Sequence, residues 1–139
     1  MKNVLIPILI FSLFNCKTLN PSGNKNSFKV SPLNDKGIVF IYRPSFFAGS
    51  AISYIVKANN QPLMELNNGV YKSFTFNPGE VTFEAETIGS ASITFDVKKG
   101  EIYFLKGNVL AGPLIGKPFL TLVSNDIGEK EISECMLKN

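Results

Sequence analysis

Few side chains in this 139-residue sequence are of a type and spacing that does chemistry, and the first is Cys16. It follows a lone cation, Lys2, and the apolar run from Val4 to Phe14. About eleven apolar residues are too few to cross a bilayer core, which needs roughly 20, but they match the h-region of a secretory signal. No A-x-A-like cleavage site follows. Leu13-Phe14-Asn15-Cys16 instead resembles a lipobox, with Leu at the third position before the cysteine and Phe14-Asn15 in place of the commoner small residues. Cleavage before Cys16 would leave that residue as an N-terminus for acylation. A secreted protein with a free Cys16, or an uncleaved anchor, are the competing readings.

Other chemistries fall away on residue type. The sequence contains no histidine, so a Ser-His-Asp or Cys-His site and imidazole ligands for zinc or copper are excluded. Glu84 and Glu86 share a strand face about 6.6 Å apart by strand rise, which reads as a solvated face rather than a carboxylate pair for glycoside or metal chemistry. No calcium loop, Walker loop or Gly-x-Gly-x-x-Gly run is present. The expectation is a protein that is not an enzyme and needs no metal or cofactor. The cations are scattered apart from Lys98-Lys99, with a net charge of +3 that falls to +2 once Lys2 is lost, and nucleic-acid binding wants a basic patch or stripe. Cys135 has no intramolecular partner if Cys16 is acylated and reads as a small buried hydrophobe.

Arg43, the sole arginine, stands where an apolar strand ends at Pro44. Its planar fork suits a carboxylate or phosphate of a ligand or of peptidoglycan. It suits equally an internal salt bridge, or stacking on a tyrosine, that orders the segment from Pro44 to Ser50. Phe46 and Phe47 cannot both face a core if that segment is extended. Either one folds back over the end of the domain, or the pair joins Leu110, Leu114 and Ile115, in the apolar loop Leu110 to Gly116, as a patch for a partner or lipid.

The elements that must position these residues are strands. Removing residues 1–15 leaves 124, enough for one domain. Residues 16–36 are rich in Asn, Ser, Lys, Pro and Gly and read as a flexible tether with an r.m.s. span of roughly 25 Å. From residue 37 to residue 139, short apolar runs alternate with turn residues about every ten positions: Asn59-Asn60, Asn67-Asn68-Gly69, Asn77-Pro78-Gly79, Gly89-Ser90 and Lys99-Gly100. That spacing predicts an all-β fold, an antiparallel β-sandwich of about eight strands. Gly37 to Tyr42 is apolar on both faces and is predicted to be central. Val81, Phe83 and Ala85 and then Ile93, Phe95 and Val97 alternate with polar residues. Keeping both sets on one face requires an odd loop, most simply three residues with Gly89 at positive φ, which pairs Phe83 with Phe95 or Val97. A short C-terminal helix is predicted from the capping-box pattern Asp126-x-x-Glu129 and from Ile132, Cys135 and Met136 at i, i+3 and i+4, against which stands Gly128 in the first turn.

The sequence resembles the bacterial domain-of-unknown-function family 2846, whose members are mostly small envelope lipoproteins. Carrying the resemblance are Val39-Phe40-Ile41-Tyr42-Arg43-Pro44-Ser45, Gly49-Ser50-Ala51, Leu66 to Tyr71, Pro78-Gly79-Glu80 and Lys99 to Lys106. It spans Gly37 to about Ile132. Residues 69–106 also resemble the PEGA type of prealbumin-like surface domain. The resemblance implies a sandwich and brings no activity.

These readings converge on a non-enzymatic envelope lipoprotein held to the membrane by its N-terminal lipid. Its sandwich is expected to serve as a binding or structural module for an envelope protein or peptidoglycan, with Arg43, Phe46, Phe47, Leu110, Leu114 and Ile115 as contact residues. The alternative is a carrier or sensor enclosing a small apolar ligand between the sheets. Lys17, and the absence of Asp after the lipidated cysteine, favour the outer membrane by analogy with the enteric sorting rule.

Overall fold

The computed structural model describes residues 30–111 and 116–139. The predicted leader, Cys16 and most of the tether lie outside the described residues, as do Leu114 and Ile115.

Two antiparallel-rich sheets face each other, as the turn spacing predicts. One orders β8 (Gly116–Val123), β7 (Ile102–Ala111), β1 (Gly37–Arg43), β4 (Val70–Phe76) and β9 (Met136–Leu137); the other orders β3 (Gln61–Leu66), β2 (Tyr54–Ala58), β5 (Gly79–Glu86) and β6 (Ser90–Val97). Within the first sheet β1 runs parallel to β7, and β4 parallel to β9. Parallel neighbours are not signalled by local turns, because their connections are crossovers between layers.

Side-chain parity on β1 divides the interior. Val39 and Ile41 face the second sheet and pack with Tyr54, Val56, Leu66, Phe83 and Leu105. Ile38, Phe40 and Tyr42 face the other way, onto Phe104 and onto Ile132 of α1 (Asn125–Ile132). With cover on both sides, all seven residues of β1 are buried, and the strand is central as expected. The space between the sheets is filled by rings: Phe83 stacks on Phe95 at 5.2 Å between centroids and meets Phe76 edge-on at 5.4 Å.

The turns show where local chemistry decides. Asn59 and Asn60 both take positive φ, 48° and 67°, joining β2 to β3 through a two-residue loop. Asn tolerates that region better than most residues. The β5–β6 hairpin does use the three-residue loop expected, Thr87-Ile88-Gly89. Its register differs from the expectation, however: Phe83 pairs with Ile93, leaving Phe95 as its diagonal, stacked neighbour. Gly89 is not at positive φ; instead a Cβ there would lie 3.2 Å from Lys117 Cγ.

Two further expectations are corrected. The segment Leu110 to Gly116 is not loop throughout, since Leu110 pairs with Lys117 and Ala111 with Gly116. Gly116 serves close packing there: an added Cβ would stand 2.4 Å from both Ile52 and Val109. The C-terminal helix forms but stops at Ile132, its N-cap is Ser124 without a side-chain capping bond, and Met136 lies in β9 rather than on the helix. Gly128 is the contact point of the helix, buried directly over Phe104.

Candidate functional site

The odd-numbered parity of β1 carries Arg43 inward, into the end of the sandwich, where it is 0% exposed. Its Nη1 donates to the Ile52 carbonyl at 2.5 Å and its Nη2 to the Gly49 carbonyl at 2.7 Å. The guanidinium carbon lies 5.9 Å from the centroid of the Tyr54 ring, within cation–π range. No carboxylate pairs with it: the ion pairs of the described residues involve other groups, and residues 1–29 and 112–115 contain no Asp or Glu. Nε has no hydrogen-bond partner among the described residues. Burial pulls the guanidinium below its ordinary pKa, opposed by Tyr54; burial also pushes the Tyr54 hydroxyl up to about 12, against the nearby cation. Arg43 is therefore no contact residue. It is an internal staple fixing the loop 44–53 from behind, and of the internal roles expected for it the stacking on tyrosine is present and the salt bridge is not.

That loop is also tied from its flank. Asn68 Oδ1 accepts from the Phe46 amide at 3.0 Å, and Asn68 Nδ2 donates to Ser45 Oγ at 3.3 Å. Ser50 N donates to Phe47 O, and Ile52 N to Gly49 O. The result is a rigid turn that points its phenylalanines outward: Phe46 is 48% exposed and Phe47 99% exposed. Leu110, 61% exposed, lies at the same end. Strand pairing gathers further connections there, since Arg43 faces Val70, Tyr54 faces Leu66, and Thr87 Oγ1 donates to the Gly116 carbonyl at 2.9 Å. Hence Ile88, at the tip of the β5–β6 hairpin and 78% exposed, belongs to the same end. Ile88 went unrecognised in the sequence reading; a large aliphatic in the middle of a three-residue loop is the signal that marks it.

A second cluster missed in the sequence joins the helix to the sheet. Tyr42 Oη donates to Glu131 Oε2 at 2.5 Å, and Lys106 Nζ donates to Glu131 Oε1 at 2.5 Å. Cys135 Sγ lies 3.4 Å from the Glu131 carbonyl. Burial drives the Tyr42 hydroxyl well above its ordinary range, reinforced by Glu131, and pushes the Cys135 thiol up to about 11. A protonated, half-buried thiol is a poor nucleophile. Burial alone would raise the Glu131 carboxyl; the Lys106 and Tyr42 hydrogen bonds and the Lys106 charge outweigh it and hold the group below its ordinary 4.5. Ionised Glu131 thus favours folding, fully above about pH 4.5 and less as pH falls through the depressed native value. Lowering the pH from 6 to 3.5 should therefore destabilise the protein more than it does the Glu131→Gln variant, as read by thermal unfolding at both pH values. Equal losses would show that the carboxyl does not clamp the helix.

Elsewhere the surface is polar. Glu84 faces Ser92, and Glu86 lies 3.7 Å from Lys57 across an open hollow of about 290 Å³ on the outer sheet face. Among the described residues no three His, Cys, Asp or Glu side chains gather as metal ligands.

Residues 33–116, more than half of the sequence, match the family described as Protein of unknown function (DUF2846). The chain belongs to this family. No curated protein matches it. The DUF2846 match stops at Gly116, short of the Ile132 suggested by the motifs, so β8, the helix and Glu131 lie beyond it. The Tyr-Arg-Pro-Ser piece within it now has a physical account. Tyr42 anchors the helix, Arg43 staples the loop, Pro44 ends the strand, and Ser45 joins the Asn68 tie.

Proposed function

We propose that this DUF2846 protein is a non-enzymatic, lipid-anchored module of the bacterial envelope, moored through Cys16, whose loop-bearing end is its binding surface. The observation that carries the reading is the pair Phe46 and Phe47, held outward by a turn that Arg43 and Asn68 make rigid. A protein would not fix two aromatic side chains in solvent at the expense of a buried, unpaired cation unless the loop had a use. Acylation of Cys16 follows from the leader and lipobox pattern, and two or more acyl chains anchor stably. The domain then works outside the cytoplasm, on the outer membrane by the Lys17 argument. The carrier alternative has less support, since aromatic rings fill the space between the sheets.

A photocrosslinking residue at Phe46 or Ile88 in intact cells is expected to give an adduct with a defined envelope component from both positions, and none from the opposite end at Lys99. Absence of any specific adduct from both would remove the surface. Mass spectrometry of the natural N-terminus should find acylated Cys16; an intact leader or a free thiol would remove the anchor.

A further inference from the structure

We propose that the end bearing Phe46, Phe47, Ile88 and Leu110 inserts into a lipid bilayer, giving the domain a second, reversible membrane attachment besides its N-terminal lipid. The inference rests on the binding-surface reading above and names the partner.

Three observations favour a bilayer over a protein. The connections at this end, residues 44–53, 67–69 and 87–89, contain no charged residue at all. Its neighbouring charge is a cation, Lys117, paired with Leu110 and laid along Gly89. The opposite end, where the chain enters β1, carries Asp35, Lys36, Lys98, Lys99 and Glu101 in its turns. A protein interface surrounds its apolar centre with a polar, hydrogen-bonding rim, and this end has little of one. A lone lysine beside exposed phenylalanine and isoleucine instead suits the boundary between acyl chains and phosphate headgroups.

The backbone of the loop is the second observation. Polar backbone groups entering lipid must already be paired. Here the amides of Phe46, Ser50 and Ile52 donate to Asn68 Oδ1, Phe47 O and Gly49 O, while the carbonyls of Gly49 and Ile52 accept from Arg43. Arg43 so closes the loop's hydrogen bonds from inside, which is what a membrane-entering loop requires and a water-facing loop does not.

Chain length is the third. From Cys16 to Gly37 the backbone takes 21 steps, which reach up to about 70 Å when extended. The ten-residue strand β7 spans about 33 Å. The anchored chain is thus long enough to lay the far end of the domain on the bilayer that holds its lipid.

Phe47→Trp in the full chain, which has no tryptophan of its own, places a single reporter at a fully exposed position without touching the core. On phosphatidylethanolamine and phosphatidylglycerol vesicles with brominated acyl chains, its emission is expected to shift to the blue and to be quenched. Lys99→Trp, at the opposite end, should show neither. The added substitution Phe46→Ser should diminish the quenching of the Phe47→Trp protein. Unquenched emission from Phe47→Trp in vesicle-bound protein would overturn the inference. If crosslinks from Phe46 and Ile88 then went to a protein or to peptidoglycan, the binding surface would stand with a different partner; no crosslink at all would remove both readings.

Discussion

Replacing Arg43 with alanine is expected to destabilise the domain by about 3–4 kcal/mol. Two buried carbonyls, of Gly49 and Ile52, lose their donors, and each unsatisfied acceptor costs about 1–3 kcal/mol. The emptied volume beside Tyr54 adds a cavity penalty. Relief of the cation's own burial opposes these losses and keeps the sum from being larger. For a domain of this size the midpoint of thermal unfolding should fall by about 12–25 °C. Arg43→Lys is expected to recover less than half of the loss, because one ammonium cannot reproduce a planar fork reaching two carbonyls 2.5 and 2.7 Å away. Limited proteolysis supplies the local readout, with cleavage moving into residues 44–53. A loss under about 1 kcal/mol, within the range of an ordinary surface substitution, would show that Arg43 is not the staple.

Gly128→Ala is the second large effect, and its sign runs against helix propensity. In an exposed helix the change would stabilise by about 1 kcal/mol. Here the new Cβ would stand 2.1 Å from Phe104 Cγ and 2.5 Å from its Cβ and Cδ1. Phe104 is buried and stacked on Phe40 at 5.3 Å, so its ring has nowhere to turn. The helix must lift instead, stretching the bonds that Tyr42 and Lys106 make to Glu131. Overpacking of this kind costs about 1–3 kcal/mol, and after the propensity gain a net loss of about 2 kcal/mol is expected in denaturant unfolding. Phe104→Leu in the same chain should restore part of it, giving a favourable coupling in the double-mutant cycle. Unchanged or raised stability of the single variant would mean that the helix is not seated on Phe104.

The two variants act on opposite faces of one strand. Arg43 faces the second sheet and holds the loop, whereas Tyr42 faces the helix and binds Glu131. A seven-residue strand with both faces buried thereby couples the loop end to the C-terminal cover. Arg43 is the costlier of the two, since it brings a charge into the interior with no counter-charge. Its carbonyl partners lie in the loop that displays Phe47, so the stability of the domain and the shape of its surface depend on the same side chain.

The position of each functional residue could be foreseen only as far as local pattern reaches. Turn residues every ten positions, strand alternation and the doubly apolar run Gly37 to Tyr42 are properties of adjacent residues, and they carried the sandwich, the central strand and the three-residue hairpin loop. The exposure of Phe46 and Phe47 was foreseen as one of two outcomes, because two neighbours in an extended segment point to opposite sides. The parity that buries Arg43 was present as well: Val39, Ile41 and Arg43 alternate in one phase. Which phase faces the second sheet, however, depends on how the layers stack. Only tertiary structure decided the parallel pairing of β1 with β7, the meeting of Tyr42, Lys106 and Glu131 from three separate elements, and the gathering of Ile88 and Leu110 at the end that carries Phe47. Those contacts join residues up to 89 positions apart. Their partners are chosen by packing between layers, and no local repeat records that choice.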